Sequence, residues 1–153
     1  MLVVLSDLHF EEEASNHISG DGSHPPIEFK RNLPATPYRL LVQQWADEAV
    51  RNKAQKLEIV LAGDIFDLHR SGLWFLENQR SVRPYVSNEA ISPELESITL
   101  RILQGIVKEV HVRDVLPVVR LLANGRYIDS SENERPFPVP TELHFIPGNH
   151  VRL

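Results

Sequence analysis

Apolar residues along this chain fall into three short continuous runs, with longer stretches of helical period between them. The first run, Leu2 to Leu5, is unbroken and rich in β-branched residues, which predicts a strand buried on both faces. A polar loop of more than 25 residues, rich in Gly and Pro, follows it; loops of that length are usually functional or disordered. From Tyr38 to Gln55 the pattern turns helical. Leu41, Trp45 and Ala49 form one i, i+4 row, and Val42, Ala46 and Val50 form another. The run "LEIVLAG", 57–63, predicts a second buried strand. Ser92-Pro93-Glu94 reads as an N-cap with Pro at the first helical position. Leu95, Ile98, Ile102, Ile106 and Val110 continue it as one helical stripe, which Pro117 is expected to break or restart near its end. Asn124-Gly125 is a stop signal, and "NERPFPVPTE" reads as an extended connector. "LHFIP", 143–147, predicts the third strand.

The resulting order, β, long loop, α, β, loop, α, β, predicts right-handed crossovers in an α/β fold with a mostly parallel sheet flanked by helices. At 153 residues the chain reads as one domain, 1–153, long enough to bury a core unaided. There is no cysteine, so a metal would have to be held by Asp, Glu, His, Asn or main-chain oxygen. The net charge of −5 and a pI near 5.8 argue against stable nucleic-acid binding, which leaves a basic footprint. They do not exclude an anionic substrate, because bound divalent cations reverse the local sign. The start "MLVVLSD" carries no positive leader and no run reaches the length of a membrane span, so a soluble, cytoplasmic protein is expected.

Polar residues gather where the predicted strands end. Asp7-Leu8-His9 follows the first, Gly63-Asp64 and then Asp67 follow the second, and Gly148-Asn149-His150 follows the third. Ligands of open α/β sheets bind beyond the carboxyl ends of the strands, so the three clusters are expected to converge. Strand alternation along Asp7-Leu8-His9 puts the carboxylate and the imidazole on one side, with Leu8 turned into the core. Asp64 has two oxygens with which to bridge two cations, and Asn149 offers a neutral carbonyl oxygen. Mixed carboxylate, imidazole and amide donors suit Mn, Zn or Fe. A pair of such ions clamps a phosphoryl group and generates a nucleophile at neutral pH.

Asp-x-His, then Gly-Asp, then Gly-Asn-His, each after an apolar strand, resembles the first half of the calcineurin-like metallophosphoesterases. The form "GDIFD" is similar to the branch that includes the UDP-diacylglucosamine pyrophosphatases. The resemblance spans Asp7 to His150. It implies a four-layer α-β-β-α sandwich of which this chain is the first half, and a metal-dependent phosphoester hydrolase using two divalent metal ions. It implies that Asp7, His9 and Asp64 bind the first metal, that Asp64 bridges, and that Asn149 binds the second. His150 would then stabilise or protonate the phosphate, and a metal-bound hydroxide would attack phosphorus. A small phosphate ester or nucleotide-type substrate is expected; lipid-linked nucleotide, cyclic nucleotide, nucleic-acid end and phosphoprotein all stay open, long nucleic acid being the least attractive.

The chain departs from the family pattern in two places. Val151 stands where the family has Asp or Glu, and the family's downstream histidines, including Gly-His-x-His, are absent. The domain is therefore expected to be C-terminally incomplete, with a missing C-terminal half as a partner. The uniformly apolar strands then predict an exposed face larger than the roughly few hundred Å² normal for monomers. Asp67 is expected either to orient a ligand or to cap the following turn. His69, Arg70 and Trp74 are expected either to line a substrate cleft, with Arg70 as a fork for phosphate, or to form an exposed loop with one aromatic anchor. His17 and His24 are secondary candidates for absent ligands, and "EEE", 11–13, reads as a solvated face. The alternative function is a non-catalytic remnant or interaction module that keeps the fold. A nucleotide-binding module lacks its glycine motifs.

Overall fold

The computed structural model describes residues 1–12, 17, 18, 23, 27, 28, 32–75 and 92–148. Strands β1 (Leu2–Ser6), β2 (His17–Ile18) and β3 (Ile27–Glu28) precede helix α1 (Ala35–Arg51). Strand β4 (Leu57–Gly63), a 3-10 turn (Gly72–Phe75) and helices α2 (Pro93–Lys108) and α3 (Val110–Ala123) follow. Strands β5 (Arg126–Ile128), β6 (Glu134–Pro136) and β7 (Thr141–Pro147) complete the order. The fold is α/β, built on a three-stranded parallel sheet in the order β1-β4-β7. No helix among the described residues is long and apolar enough to cross a membrane.

Register decides which residues share a face. Val3, Ile59 and Leu143 are neighbours across the sheet, as are Leu5, Leu61 and Phe145. This face meets the helices. A small apolar cavity of about 30 Å³ is lined jointly by Leu5, Ile59, Leu61 and Leu143, by Val42 and Trp45 of α1, and by Val118 and Leu122 of α3. Helix α1 packs on α3, and α2 also packs on α3; Ile98, Ile102 and Ile106 of α2 are all buried. Burying each such aliphatic side chain stabilises the fold by about 1.5–3 kcal/mol.

The other face carries Leu2, Val4, Val60, Ala62 and Ile146, with Glu58, Glu142 and His144 toward its amino end. Here Leu2 is 63% exposed, Val4 56% and Ile146 54%. The reading of each strand as buried on both faces is therefore corrected among the described residues, while the exposed apolar face that the sequence also predicts is present. Strand order advances in one direction, and crossovers of one hand then all fall on the same side. Crossover helices on both faces would need a reversal of that order, which β1-β4-β7 lacks.

Several boundaries also differ from the sequence reading. Helix α1 starts at Ala35 because extended Pro34 caps it and Pro37 sits in the first turn, where a missing N–H costs nothing. It ends at Arg51, not Gln55, because Asn52 caps it and Lys53 turns to a left-handed φ of 51°. Val50 therefore lies exposed while Trp45, Ala46 and Ala49 are buried. The long stripe from Leu95 breaks at Glu109, not at Pro117. Glu109 is extended (φ −58°, ψ 136°), and its carboxylate accepts the N–H groups of His111 and Val112 at 3.0 and 2.9 Å. Pro117 is tolerated inside α3 because it lies on the exposed side, where water can serve the carbonyl that its missing N–H leaves.

The stretch read as a connector contains half of a hairpin. Strands β5 and β6 pair antiparallel, with Arg126 bonded to Glu134. In the turn between them, Asp129 accepts the N–H groups of Ser131 and Asn133, each at 2.9 Å, and Arg135 Nε at 2.8 Å. Ser92 caps α2, Asn124-Gly125 ends α3, and β4 spans 57–63, as the sequence predicts.

Candidate metal centre

Three chain segments meet beyond the carboxyl end of the sheet, and main-chain hydrogen bonds fasten them together. Asp7 N–H donates to Ala62 O (3.2 Å), His9 N–H to Asp64 O (2.8 Å) and Phe10 N–H to Ile65 O (2.8 Å). Asp67 N–H returns to Phe10 O at 2.9 Å, and Gly148 N–H donates to Gly63 O at 2.9 Å. The first two segments thus run side by side past the sheet, and the end of β7 is held against the second.

Two glycines make this approach possible. Gly63 has a φ of 77°, and a Cβ there would collide with the carboxylate of Asp7. A Cβ on Gly148 would strike the Asp64 carboxylate and come within 2.6 Å of the Gly63 carbonyl carbon. Gly148 precedes Asn149 in the sequence; Asn149, His150, Val151 and His24 lie outside the described residues. The side chain of His17 does so too.

The structure brings together Asp7, His9 and Asp64, whose ligand atoms all lie within 4.8 Å of one another. The cause differs from the one expected. Strand β1 ends at Ser6, and both Asp7 and His9 take left-handed backbone angles, φ 53° and 47°. Strand alternation therefore does not aim the two side chains; two left-handed residues flanking Leu8 do so. Leu8 itself packs on the core, as expected. The Asp64 N–H approaches Asp7 Oδ1 at 3.4 Å. Asp7 is exposed, His9 is half-buried and Asp64 is buried.

Around this triad stands a shell of buried charge. Asp67, 2% exposed, receives His9 Nδ1 on Oδ2 at 2.9 Å. The same oxygen takes Arg70 Nε at 3.1 Å, while Oδ1 accepts the Arg70 N–H at 3.3 Å. One carboxylate thus both contacts the His9 ring and accepts the N–H of the following turn. Arg70 also reaches Glu11 Oε1 through Nη1 at 3.1 Å. Its guanidinium is thus engaged by two buried carboxylates, which weakens its reading as a free fork for phosphate. Trp74 is wholly buried, its indole N–H donating to Leu68 O at 2.6 Å, so it is the aromatic anchor and not part of a cleft. His69 is half-buried in the same loop.

Glu11 and Glu12 are 1% and 6% exposed, so their reading as a solvated face is corrected. Arg70 pairs with Glu11, whose main chain is bracketed by the Asn32 amide (Glu11 N–H to Oδ1, 3.1 Å; Nδ2 to Glu11 O, 2.8 Å). Ser71 donates its hydroxyl to Glu12. Buried carboxylates persist only with such partners. No local sequence signal marks them, since their partners Arg70 and Ser71 lie 59 positions on.

The donor set itself tests whether a metal fits. Two carboxylates and one imidazole suit a first-row divalent ion and match the three-ligand form of catalytic sites. A second carboxylate and imidazole group, Glu58, Glu142 and His144, lies on the open sheet face. Comparison of the chain with protein-family models, with curated proteins and with solved structures returned no match.

Proposed function

We propose that the chain is a metal-dependent phosphoester hydrolase of the calcineurin-like metallophosphoesterase kind, or the part of one that holds its first metal. The observation that carries the reading is the convergence of Asp7, His9 and Asp64 from two strand ends within 4.8 Å. These three would hold a divalent Mn, Zn or Fe ion. Asp64, with its second oxygen, and Asn149 would share a second. A bound cation of this kind supplies a Lewis acid for a phosphoryl oxygen and lowers the pKa of water.

The chain's own residues do the rest. Asp7 is exposed and gives the site its approach from solvent, while buried Asp64 fixes its floor. His150 is assigned the charge of the phosphate or the proton of the leaving oxygen. The open face of the sheet is assigned to the second layer of an α-β-β-α sandwich. The substrate class is a small phosphate ester or nucleotide-type molecule, met in the cytoplasm.

The test is hydrolysis of an aryl phosphodiester by the purified chain with Mn²⁺, beside Asp64→Asn. Hydrolysis by the wild type that disappears in the variant supports the enzyme. Metal binding without any hydrolysis assigns the chain to the alternative, a module that keeps the fold and the ion but not the reaction.

A further inference from the structure

Four side chains form an unbroken line from the interior to the triad: Glu11, Arg70, Asp67 and His9. Glu11 Oε1 holds Arg70 Nη1 at 3.1 Å, Arg70 Nε holds Asp67 Oδ2 at 3.1 Å, and Asp67 Oδ2 holds His9 Nδ1 at 2.9 Å. The two carboxylates are 1% and 2% exposed. We propose that Arg70 and Glu11 are positioning residues for the metal centre, acting through Asp67 to set the tautomer of His9. The consequence for metal binding rests on the reading of the preceding section; the tautomer does not.

The argument begins with the imidazole. A neutral histidine has one N–H and one lone pair, and the bond made by one nitrogen fixes the role of the other. An ionised carboxylate only accepts hydrogen bonds. Asp67 on Nδ1 therefore places the proton there and leaves Nε2 as the nitrogen able to ligate. A carboxylate can do this only while one oxygen stays aimed at the ring. Rotation of Asp67 is opposed from two sides, because the Arg70 main-chain N–H holds Oδ1 at 3.3 Å while the guanidinium holds Oδ2.

Arg70 is in turn held by Glu11, 59 positions away, and the planar fork suits two acceptors at once. The Asn32 amide pins the main chain of Glu11, so the far end of the line is anchored to the fold. An arginine bound in this way has less of its fork to offer a substrate. It also explains why a glutamate directly follows His9-Phe10 yet lies buried.

The experiment uses the full chain. Nitrogen-15 spectra of the metal-free protein report which ring nitrogen of His9 carries the proton, and calorimetry with Zn²⁺ alone reports affinity. Wild-type His9 is expected as a single tautomer protonated on Nδ1. Arg70→Leu should mix the tautomers and weaken Zn²⁺ binding by about 10–100-fold, the range for losing an outer-shell partner. Arg70→Lys keeps the charge without the fork and should recover part of both. Glu11→Gln keeps the shape and should move both readouts less; if Arg70→Leu does not fold, Glu11→Gln decides. Wild-type His9 protonated on Nε2, or variants with unchanged tautomer and affinity, would overturn the proposal. Loss of all Zn²⁺ binding in the wild type, with the tautomer as expected, would instead overturn the metal reading and leave the positioning line standing.

Discussion

Two groups on this sheet have nearly the same composition and opposite surroundings. At the carboxyl end stand Asp7, His9 and Asp64; on the open face toward the amino end stand Glu58, Glu142 and His144. Each offers two carboxylates and one imidazole at comparable spacing. In the first, Asp64 is buried, and the ring of His9 is held by a carboxylate that is itself held by an arginine. In the second, Glu142 and His144 are exposed, and Lys56 Nζ already lies 2.5 Å from Glu58 and 3.6 Å from Glu142. His144 Nε2 stands 3.8 Å from Glu142, with no carboxylate holding its other nitrogen among the described contacts. Residue type and distance alone do not separate the two groups. Burial and fixed orientation do.

The largest effect expected from this contrast is on metal affinity. Asp64→Asn should weaken Zn²⁺ or Mn²⁺ binding by more than the roughly 10–100-fold that an outer-shell loss costs. Glu142→Gln should leave it unchanged. Calorimetry on the two variants makes the comparison, and equal losses would erase the distinction drawn between the groups.

A smaller effect concerns the backbone beneath the triad. Gly63→Ala places a Cβ at a left-handed residue and against the Asp7 carboxylate. It should destabilise the fold by about 1–3 kcal/mol, the cost of a residue held in a sparsely populated region. Urea denaturation measures this. The same variant should lower metal affinity, because Asp7 must move. Full stability with full affinity would mean that the three strand tips are not held as tightly as their hydrogen bonds indicate.

The smallest effect belongs to the amino-end group. The Lys56 ammonium bonded to Glu58 holds that carboxyl below its ordinary 4.5, and Glu58 holds Lys56 above its ordinary 10.5. A depressed carboxylate contributes stability above its unfolded value and loses it as pH falls through the folded one. A raised lysine contributes below its unfolded value and loses it as pH rises through the folded one. The pair should therefore help on a plateau between about 4.5 and 10.5, and weakly, since both groups are exposed and salt screens them. The difference in Tm between wild type and Lys56→Met should be small at pH 7, shrink toward pH 3, and shrink further with salt. A large, salt-independent difference would show the pair to be more than a surface contact.

The same physical distinction explains what could be read in advance. Strand β4, the Ser92-Pro93 cap and the Asn124-Gly125 stop are local signals carried by a few adjacent residues, and all three appear where the sequence places them. The convergence of Asp7, His9 and Asp64 was legible because parallel strands put their ends on one edge. What was not legible depends on distant partners. The burial of Glu11 and Glu12 needs Arg70 and Ser71, both 59 positions on. The break at Glu109 needs its carboxylate to serve the next helix, and the continuous apolar stripe through Val110 conceals that. The left-handed angles at Asp7 and His9 leave no apolar pattern at all.

The most direct test of the centre is a titration of Zn²⁺ into nitrogen-15-labelled chain, followed residue by residue by NMR. The account predicts that Asp7, His9 and Asp64 move first, with Asp67 following through the ring of His9. Movement at Glu58, Glu142 and His144 with the triad still, or no movement anywhere, would contradict it.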